Sequence, residues 1–317
     1  MRLVSAEEVH RTLDYPALVE ALRSMFRAGC EAPPRHHHAI ASTVAGGAGN
    51  TLLLMPAWQP GAALGVKIVT VFPDNGQRAL PAVFGTYLLL DPMTGAPSAV
   101  LDGTALTVRR TAAASALAAD YLARADSTVH LIVGTGALAP HLCATHAAIR
   151  PIRSTLIWGR DTAKAAALAD RLRLAGLAAE PVGDLAGAVA MADIVSCATL
   201  AREPLIDGAW LRPGTHVDLV GGYTPEMREA NDAAIARATV YIDTEAASRE
   251  AGDIVVPLRQ GVLDRARIAG DLFGLCRGDV PGRRNSDEVT LFKSVGHALE
   301  DLAAAQLVLR RLDEHRG

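Results

Sequence analysis

VHLIVGTGALAPHL, residues 129–142, is the stretch on which the reading of this chain turns. A β-prone apolar run leads into Gly134-Thr135-Gly136, and Ala139 completes a Gly-x-Gly-x-x-Ala spacing. Between a strand and a helix, the first glycine permits a tight bend and the second lets backbone approach a pyrophosphate. The small third residue lets helix and strand pack closely. Free N–H groups at the helix start then hold the phosphate. Pro140 falls in the first helical turn, where a missing N–H is tolerated. The motif is weak when it stands alone. Here a second strand-like run, STLIWG, follows about twenty residues later, the spacing of a dinucleotide fold. Gly134, Thr135, Gly136, Ala137 and Leu138 are therefore the phosphate-side candidates.

The second run ends Trp158-Gly159-Arg160-Asp161. An NAD site usually presents an acid here to the ribose 2′-hydroxyl. Arg160 stands in that neighbourhood, and its guanidinium suits a 2′-phosphate. NADP(H) is favoured, and Asp161 leaves NAD(H) open.

The pattern continues outward from the motif. TAKAAALADRLRLAG reads as a helix; ADIVSCA, THVDLVGG and TVYIDT read as further strands. Such alternation predicts a parallel sheet covered by helices. LFKSVGHALEDLAAAQLVLRRLDEH reads as one long last helix that packs back on the first domain. Upstream, residues 5–29 read as a helix with a Ser5–Glu8 capping box, interrupted or restarted at Pro16 and ended at Gly29. Residues 35–100 read as a meander of antiparallel strands, punctuated by Gly46-Gly47, Pro60-Gly61, Asp74-Asn75-Gly76 and Pro92-Met93-Thr94-Gly95. An alanine-rich helix follows over about 106–123. The expected class is α/β: a Rossmann domain over 116–299, and a mixed α+β domain from 1–115 with 300–317.

Composition narrows the function. The chain has 317 residues, half of them apolar, with 31 basic and 34 acidic side chains and a net charge of −3. No basic excess marks a nucleic-acid binder, and no apolar run reaches membrane-spanning length. The N-terminus lacks the basic-then-apolar layout of a secretory signal, so a cytoplasmic protein is expected. Cys30, Cys143, Cys197 and Cys276 lie far apart with no CxxC pair, as free thiols do in a reducing compartment. His36, His37 and His38 invite a metal reading, but neighbours on a strand face opposite ways and no ligand set completes them. No metal is expected.

A bound nicotinamide implies hydride transfer to or from a substrate that the protein positions and polarises. The candidates are charges within apolar or small-residue runs: Arg35 after Pro33-Pro34, Lys67 inside GVKIVTVF, and Arg109 and Arg110 at the opening of the alanine-rich helix. They read as a carboxylate clamp and a proton donor. The plainer alternative makes each a snorkelling side chain at an element edge. Lys67 resists that alternative, because a lysine in a β-rich core segment is costly without a partner.

These segments carry a resemblance. LGVKIVTVFPDN, the run from LPAVFGTYLLLDPMTGAPSAVLDG through TALTVRRTAAASALAADYLAR, LIVGTGALA, DIVSCAT, GTHVDLVGGYTPEMRE, AGDIVVPL and SDEVTLFKSVGHALEDLAAA together resemble the ornithine cyclodeaminase/mu-crystallin family over nearly the whole chain. The family includes a cyclodeaminase that makes proline from ornithine, alanine dehydrogenase-like enzymes, and NAD(P)H-dependent reductases of cyclic ketimines. The resemblance implies a homodimer held by the N-terminal domain and the C-terminal helix, with the active site between that domain and the Rossmann domain. It implies that Arg35 and Arg110 bind a substrate carboxylate, that Lys67 is the active-site lysine, and that Thr111, at the helix start, contacts a cofactor phosphate with Arg110 beside it. Thr199 would line the nicotinamide ribose, Val220 and Gly221 would lie near the ring, and Ser294, Val295 and Gly296 would close the far side. Two departures count against ornithine cyclodeaminase activity. Tyr223 follows Gly221-Gly222 where that branch has an aspartate, and Ala82 replaces a threonine. The expected function is thus an NAD(P)H-dependent reductase of small imino acids or cyclic ketimine carboxylates. A cyclodeaminase and a non-catalytic, crystallin-like NADPH binder are the alternatives.

Overall fold

The structure, a computed structural model, describes residues 1–43 and 49–314. The Gly46-Gly47 turn and His315 lie outside them. The chain forms two compact units, Met1–Thr111 with His297–Gly317, and Ala112–Gly296.

The first unit is built on six strands: β1 (Arg2–Val4), β2 (His36–Ile40), β3 (Asn50–Gln59), β4 (Ala63–Val71), β5 (Val83–Leu90) and β6 (Pro97–Asp102), in the order β1-β6-β5-β4-β3-β2. β2 to β6 form the expected antiparallel meander, and β1 adds in parallel beside β6. At three residues β1 is too short to show alternation, and sequence reading missed it. The Asp74-Asn75-Gly76 turn is instead part of a 3-10 helix, Pro73–Arg78. His36, His37 and His38 sit exposed on the edge strand β2.

The N-terminal helix does restart at Pro16. Ala6–Thr12 carries the Ser5–Glu8 capping box, and Tyr15–Ala28 begins behind Asp14, whose carboxylate accepts the Ala17 N–H at 2.9 Å. Pro16 falls where no helical N–H is required. Period-two alternation sends Met55, Ala57, Ala63, Tyr87, Leu89, Ala99 and Leu101 to one buried face of the sheet. Lys67 stands among them, in register between Met55 and Tyr87. Helix Ala298–Glu314 packs on β3, β4 and β5 and on helix Tyr15–Ala28.

The second unit is an eight-stranded sheet of β7 (Val129–Val133), β8 (Ser154–Trp158), β9 (Ala179–Pro181), β10 (Ile194–Cys197), β11 (His216–Leu219), β12 (Thr239–Ile242), β13 (Ile268–Asp271) and β14 (Thr290–Lys293). Its order is β13-β12-β14-β11-β10-β7-β8-β9, and every pairing is parallel. β14 corrects the reading of LFKSVGHALEDL as continuous helix. Thr290, Leu291, Phe292 and Lys293 are all buried, and a strand covered on both faces has no alternation to distinguish it from buried helix. The last helix starts only at Ala298. From β7 the chain runs outward to β8 and β9, then returns to β10 on the other side. The reversal opens a crevice at the carboxyl ends of β7 and β10, where such folds bind dinucleotides.

Three imidazoles are sealed in this unit: His130, His146 and His216 are fully buried, with the His130 and His146 ring centroids 4.4 Å apart. Burial above all holds each below the usual histidine range, His146 at about 4. Among the described residues, no helix is long and apolar enough to cross a membrane, and no group of three His, Cys, Asp or Glu could hold a metal ion.

Candidate active site

The carboxyl edge of the parallel sheet meets the demands of a dinucleotide turn. Gly134 bends at φ 121°, and a Cβ there would sit 2.5 Å from the Ala198 carbonyl. A side chain at Gly136 would point into open space. Among the described residues, no hydrogen bond takes the backbone N–H of Thr135, Gly136, Ala137 or Leu138. Four successive amides without partners, leading into helix Ala139–Ile149 with Pro140 in its first turn, form an anion cradle that fits a pyrophosphate. Arg160 is exposed past the end of β8. Asp161 is engaged elsewhere, because it caps helix Thr162–Leu174 and accepts the Ala163 and Lys164 N–H groups, each at 3.1 Å. Thr199 follows β10, Val220 and Gly221 follow β11, and Ser294, Val295 and Gly296 follow β14, all at this same edge. Tyr223 is 53% exposed beyond them.

The other candidates belong to the first unit. The alanine-rich helix spans Gly103–Leu122, because Asp102 at the end of β6 accepts the Ala105 N–H at 2.8 Å and starts it early. That corrects the placement of Arg109, Arg110 and Thr111 at the helix start. They lie turns further in, and Thr111 has no unspent helix-terminal amide to offer a phosphate. Arg109 is structural: it bonds the His10 and Leu13 carbonyls and lies over the Tyr15 ring.

Arg110 and Lys67 meet at one carboxylate. Lys67 Nζ lies 2.7 Å from Asp301 Oδ2, and Arg110 Nε donates to Asp301 Oδ1 at 3.1 Å. Arg110 Nη1 donates to Glu300. Among the described residues no protein group takes Arg110 Nη2. The Lys67 contact is an ion pair whose angle falls short of hydrogen-bond alignment. All four side chains are buried. Burial first, then the Arg110 charge, lowers Lys67 from its usual 10.5 to about 8, with Asp301 and Glu300 opposing. Asp301 is held low despite its burial, because two cations face it.

His297 completes the cluster. Burial and the charges of Arg35 and Arg110 bring it to about 4, so it is neutral near pH 7. Its Nδ1 accepts the Leu299 N–H at 3.2 Å, which leaves the ring proton on Nε2. Arg35 is half-buried before β2, near enough for its charge to act on His297. Sequence reading named Arg35, Lys67 and Arg110 but missed His297, Glu300 and Asp301. The signal was there: two adjacent acids in HALEDLAAA, otherwise small and apolar, require buried cations.

Comparison with known proteins shows the family. Residues 2–316 match the model of the ornithine cyclodeaminase/mu-crystallin family. A Delta(1)-pyrroline-2-carboxylate reductase of Colwellia psychrerythraea is 36% identical over 316 residues, covering 98% of this chain and 99% of its own. The Thermococcus litoralis Delta(1)-pyrroline-2-carboxylate reductase, solved with NADH and L-proline, is 32% identical with a TM-score of 0.92, over 100% of this chain and 98% of that one. An archaeal alanine dehydrogenase dimer with bound NAD is 26% identical with a TM-score of 0.91, over 100% and 97%.

Proposed function

The chain belongs to the ornithine cyclodeaminase/mu-crystallin family, and we propose that it is a nicotinamide-dependent reductase of cyclic α-imino acids, with pyrroline-2-carboxylate as the first substrate to test. The observation that carries this is the buried Lys67 ammonium, shared by Asp301 with Arg110 and brought to about 8. A proton donor near neutral pH beside a guanidinium is what reduction of a C=N bond next to a carboxylate requires.

A bound dihydronicotinamide supplies hydride to the imine carbon. Lys67 gives a proton to the imine nitrogen, so that one C–H and one N–H bond form and a neutral lysine amine remains. Arg110 Nη2 and Arg35 hold the substrate carboxylate, with the neutral His297 beside them. Asp301 holds the lysine in place by its charge. In reverse, the neutral amine of Lys67 takes the proton and an amino acid is oxidised. Tyr223 provides no carboxylate base, which favours reduction over loss of ammonia.

The second unit, in this proposal, holds the dinucleotide at the turn of Gly134, Thr135, Gly136, Ala137 and Leu138, with Thr199, Val220, Gly221 and Val295 toward its nicotinamide half. Arg160 supports NADP(H) over NAD(H), since Asp161 is occupied as a helix cap. The first unit takes the substrate and forms a homodimer, supported by likeness to the dimeric alanine dehydrogenase. Four free cysteines favour a reducing, cytoplasmic setting. The test is oxidation of NADPH and NADH on adding pyrroline-2-carboxylate, with proline as product. No turnover, or proline and ammonia from ornithine instead, would overturn the assignment.

A further inference from the structure

A buried carboxylate that the reduction does not use ties together part of the dinucleotide edge. Glu229 is fully buried, and its two oxygens take four donors. Oε1 accepts the Thr199 N–H and the Thr199 hydroxyl, each at 2.8 Å. Oε2 accepts the Gly221 N–H at 2.8 Å and the Gly222 N–H at 3.3 Å. Thr199 follows β10 and Gly221 follows β11, so one side chain joins the ends of two neighbouring strands. They close tightly on each other: a Cβ at Gly221 would run into the backbone of Thr199.

Further charges stand behind it. Lys293, the last residue of β14, is fully buried, with Nζ 3.9 Å from Glu229 Oε2 and 3.6 Å from Asp253 Oδ2. Its Nζ makes no aligned hydrogen bond among the described residues, so it acts as a counter-charge. Asp253 Oδ1 accepts the N–H groups of Glu229 and Ala230 at 2.8 and 3.0 Å, which fixes the backbone that carries the carboxylate. Taking two carboxylates and an ammonium out of water is costly. What the cluster fixes is the two strand ends on one side of the switch point. The glycine turn after β7 and Arg160 after β8 serve the pyrophosphate and adenosine. The nicotinamide half therefore falls toward β10, β11 and β14.

We propose that Glu229 is a positioning residue for the nicotinamide end of the bound dinucleotide, acting through Thr199 and Gly221, with Lys293 and Asp253 holding it in place. The proposal rests on the reductase reading only for the identity of the bound group. Glu229→Gln keeps the side chain's size, removes its charge and turns an amide NH₂ toward N–H donors. Loss of hydrogen bonds to a charged acceptor is expected to weaken NADPH binding by about tenfold or more. Binding of 2′-phospho-ADP, which lacks the nicotinamide and its ribose, should stay within about twofold, since the amides of the glycine turn are untouched.

Acidity gives a second readout. Burial raises Glu229 to about 7 against the pull of Lys293; Asp253, Asp218 and Cys197 also face this cluster. The NADPH affinity of the wild type relative to that of Glu229→Gln should rise with pH through about 7. Equal loss of both ligands would mark general damage to the fold and overturn the proposal, as would no loss of either. If Glu229→Gln does not fold, Thr199→Val removes one donor and keeps the shape. Its NADPH binding should then weaken by about threefold to tenfold with 2′-phospho-ADP unaffected, and unchanged NADPH binding would refute the role. A wild type that binds NADPH without reducing a ketimine sinks the substrate assignment alone. One that binds no dinucleotide sinks both.

Discussion

Lys67→Met is the substitution with the most to say. Near pH 7 a lysine of pKa about 8 is protonated in a ratio of about ten to one. It can therefore donate a proton at working pH and is spent above pH 8. General acids of this kind contribute about 10²- to 10⁴-fold, so kcat/KM for the ketimine should fall by that factor in Lys67→Met. Dinucleotide affinity should not change, because the glycine turn belongs to the other unit. In the wild type, kcat/KM should decline about tenfold per pH unit above 8, and the variant should lose that limb. Titration of the substrate imine can also produce an alkaline limb, but it would survive the substitution.

Stability separates this loss from unfolding. The shift of Lys67 from 10.5 to about 8 means that its ammonium costs the folded state about 3 kcal/mol at neutral pH. That cost is present below pH 8 and is relieved as pH rises from 8 toward 10.5. Methionine removes it, and Asp301 keeps Arg110 as partner. The melting temperature should therefore not fall. Stopped-flow hydride transfer and a thermal melt together decide the matter. A rate within about threefold of wild type would refute the role of Lys67.

Arg160→Ala should weaken NADPH binding about tenfold, the loss of a charge-assisted contact, and leave NADH nearly untouched; equal effects in a fluorescence titration would remove Arg160 as phosphate reader. Gly134→Ala places a Cβ 2.5 Å from the Ala198 carbonyl at φ 121°, so dinucleotide affinity should fall more than about tenfold with about 1–3 kcal/mol of added strain. His146→Gln tests the buried imidazoles. The unfolded chain takes up this proton near 6.5 and the folded one only near 4, so the wild type loses about 3 kcal/mol of stability from this group as pH falls through that window. Asp218, raised to about 7 by burial, acts in the opposite sense. The quantity to follow is thus the difference between the two stability–pH curves, and parallel curves would count against a neutral His146.

The elements legible in the sequence were those with a local signature. The strand–glycine–helix turn at Gly134, the Pro16 restart and the β2–β6 meander each declare themselves within a few residues. β14 does not, since Thr290 through Lys293 are covered on both faces and read equally well as helix. The helix start was misplaced because the capping role of Asp102 depends on where β6 ends. Lys67 and Arg110 stood out as charges in apolar surroundings. Their carboxylate partners lie about two hundred residues later, where acids on a helix ordinarily read as a solvated face. Glu229 was hidden differently: GGYTPEMRE reads as a polar loop, and only the fold turns that acid inward.

The position of β14 also governs the order in which the protein can be made. The strand lies between β11 and β12 yet comes from residues 290–293. Until these emerge from the ribosome, the parallel sheet is two partial sheets with open edges. The first unit waits longer still, for the helix Ala298–Glu314 that covers its buried face and brings Glu300 and Asp301 to Arg110 across separations of 190 and 191 residues. Both units therefore close only after residues 290–314 have been made. A chain that ended before residue 290 would expose strand edges in one unit and leave uncompensated buried cations in the other, surfaces that favour aggregation.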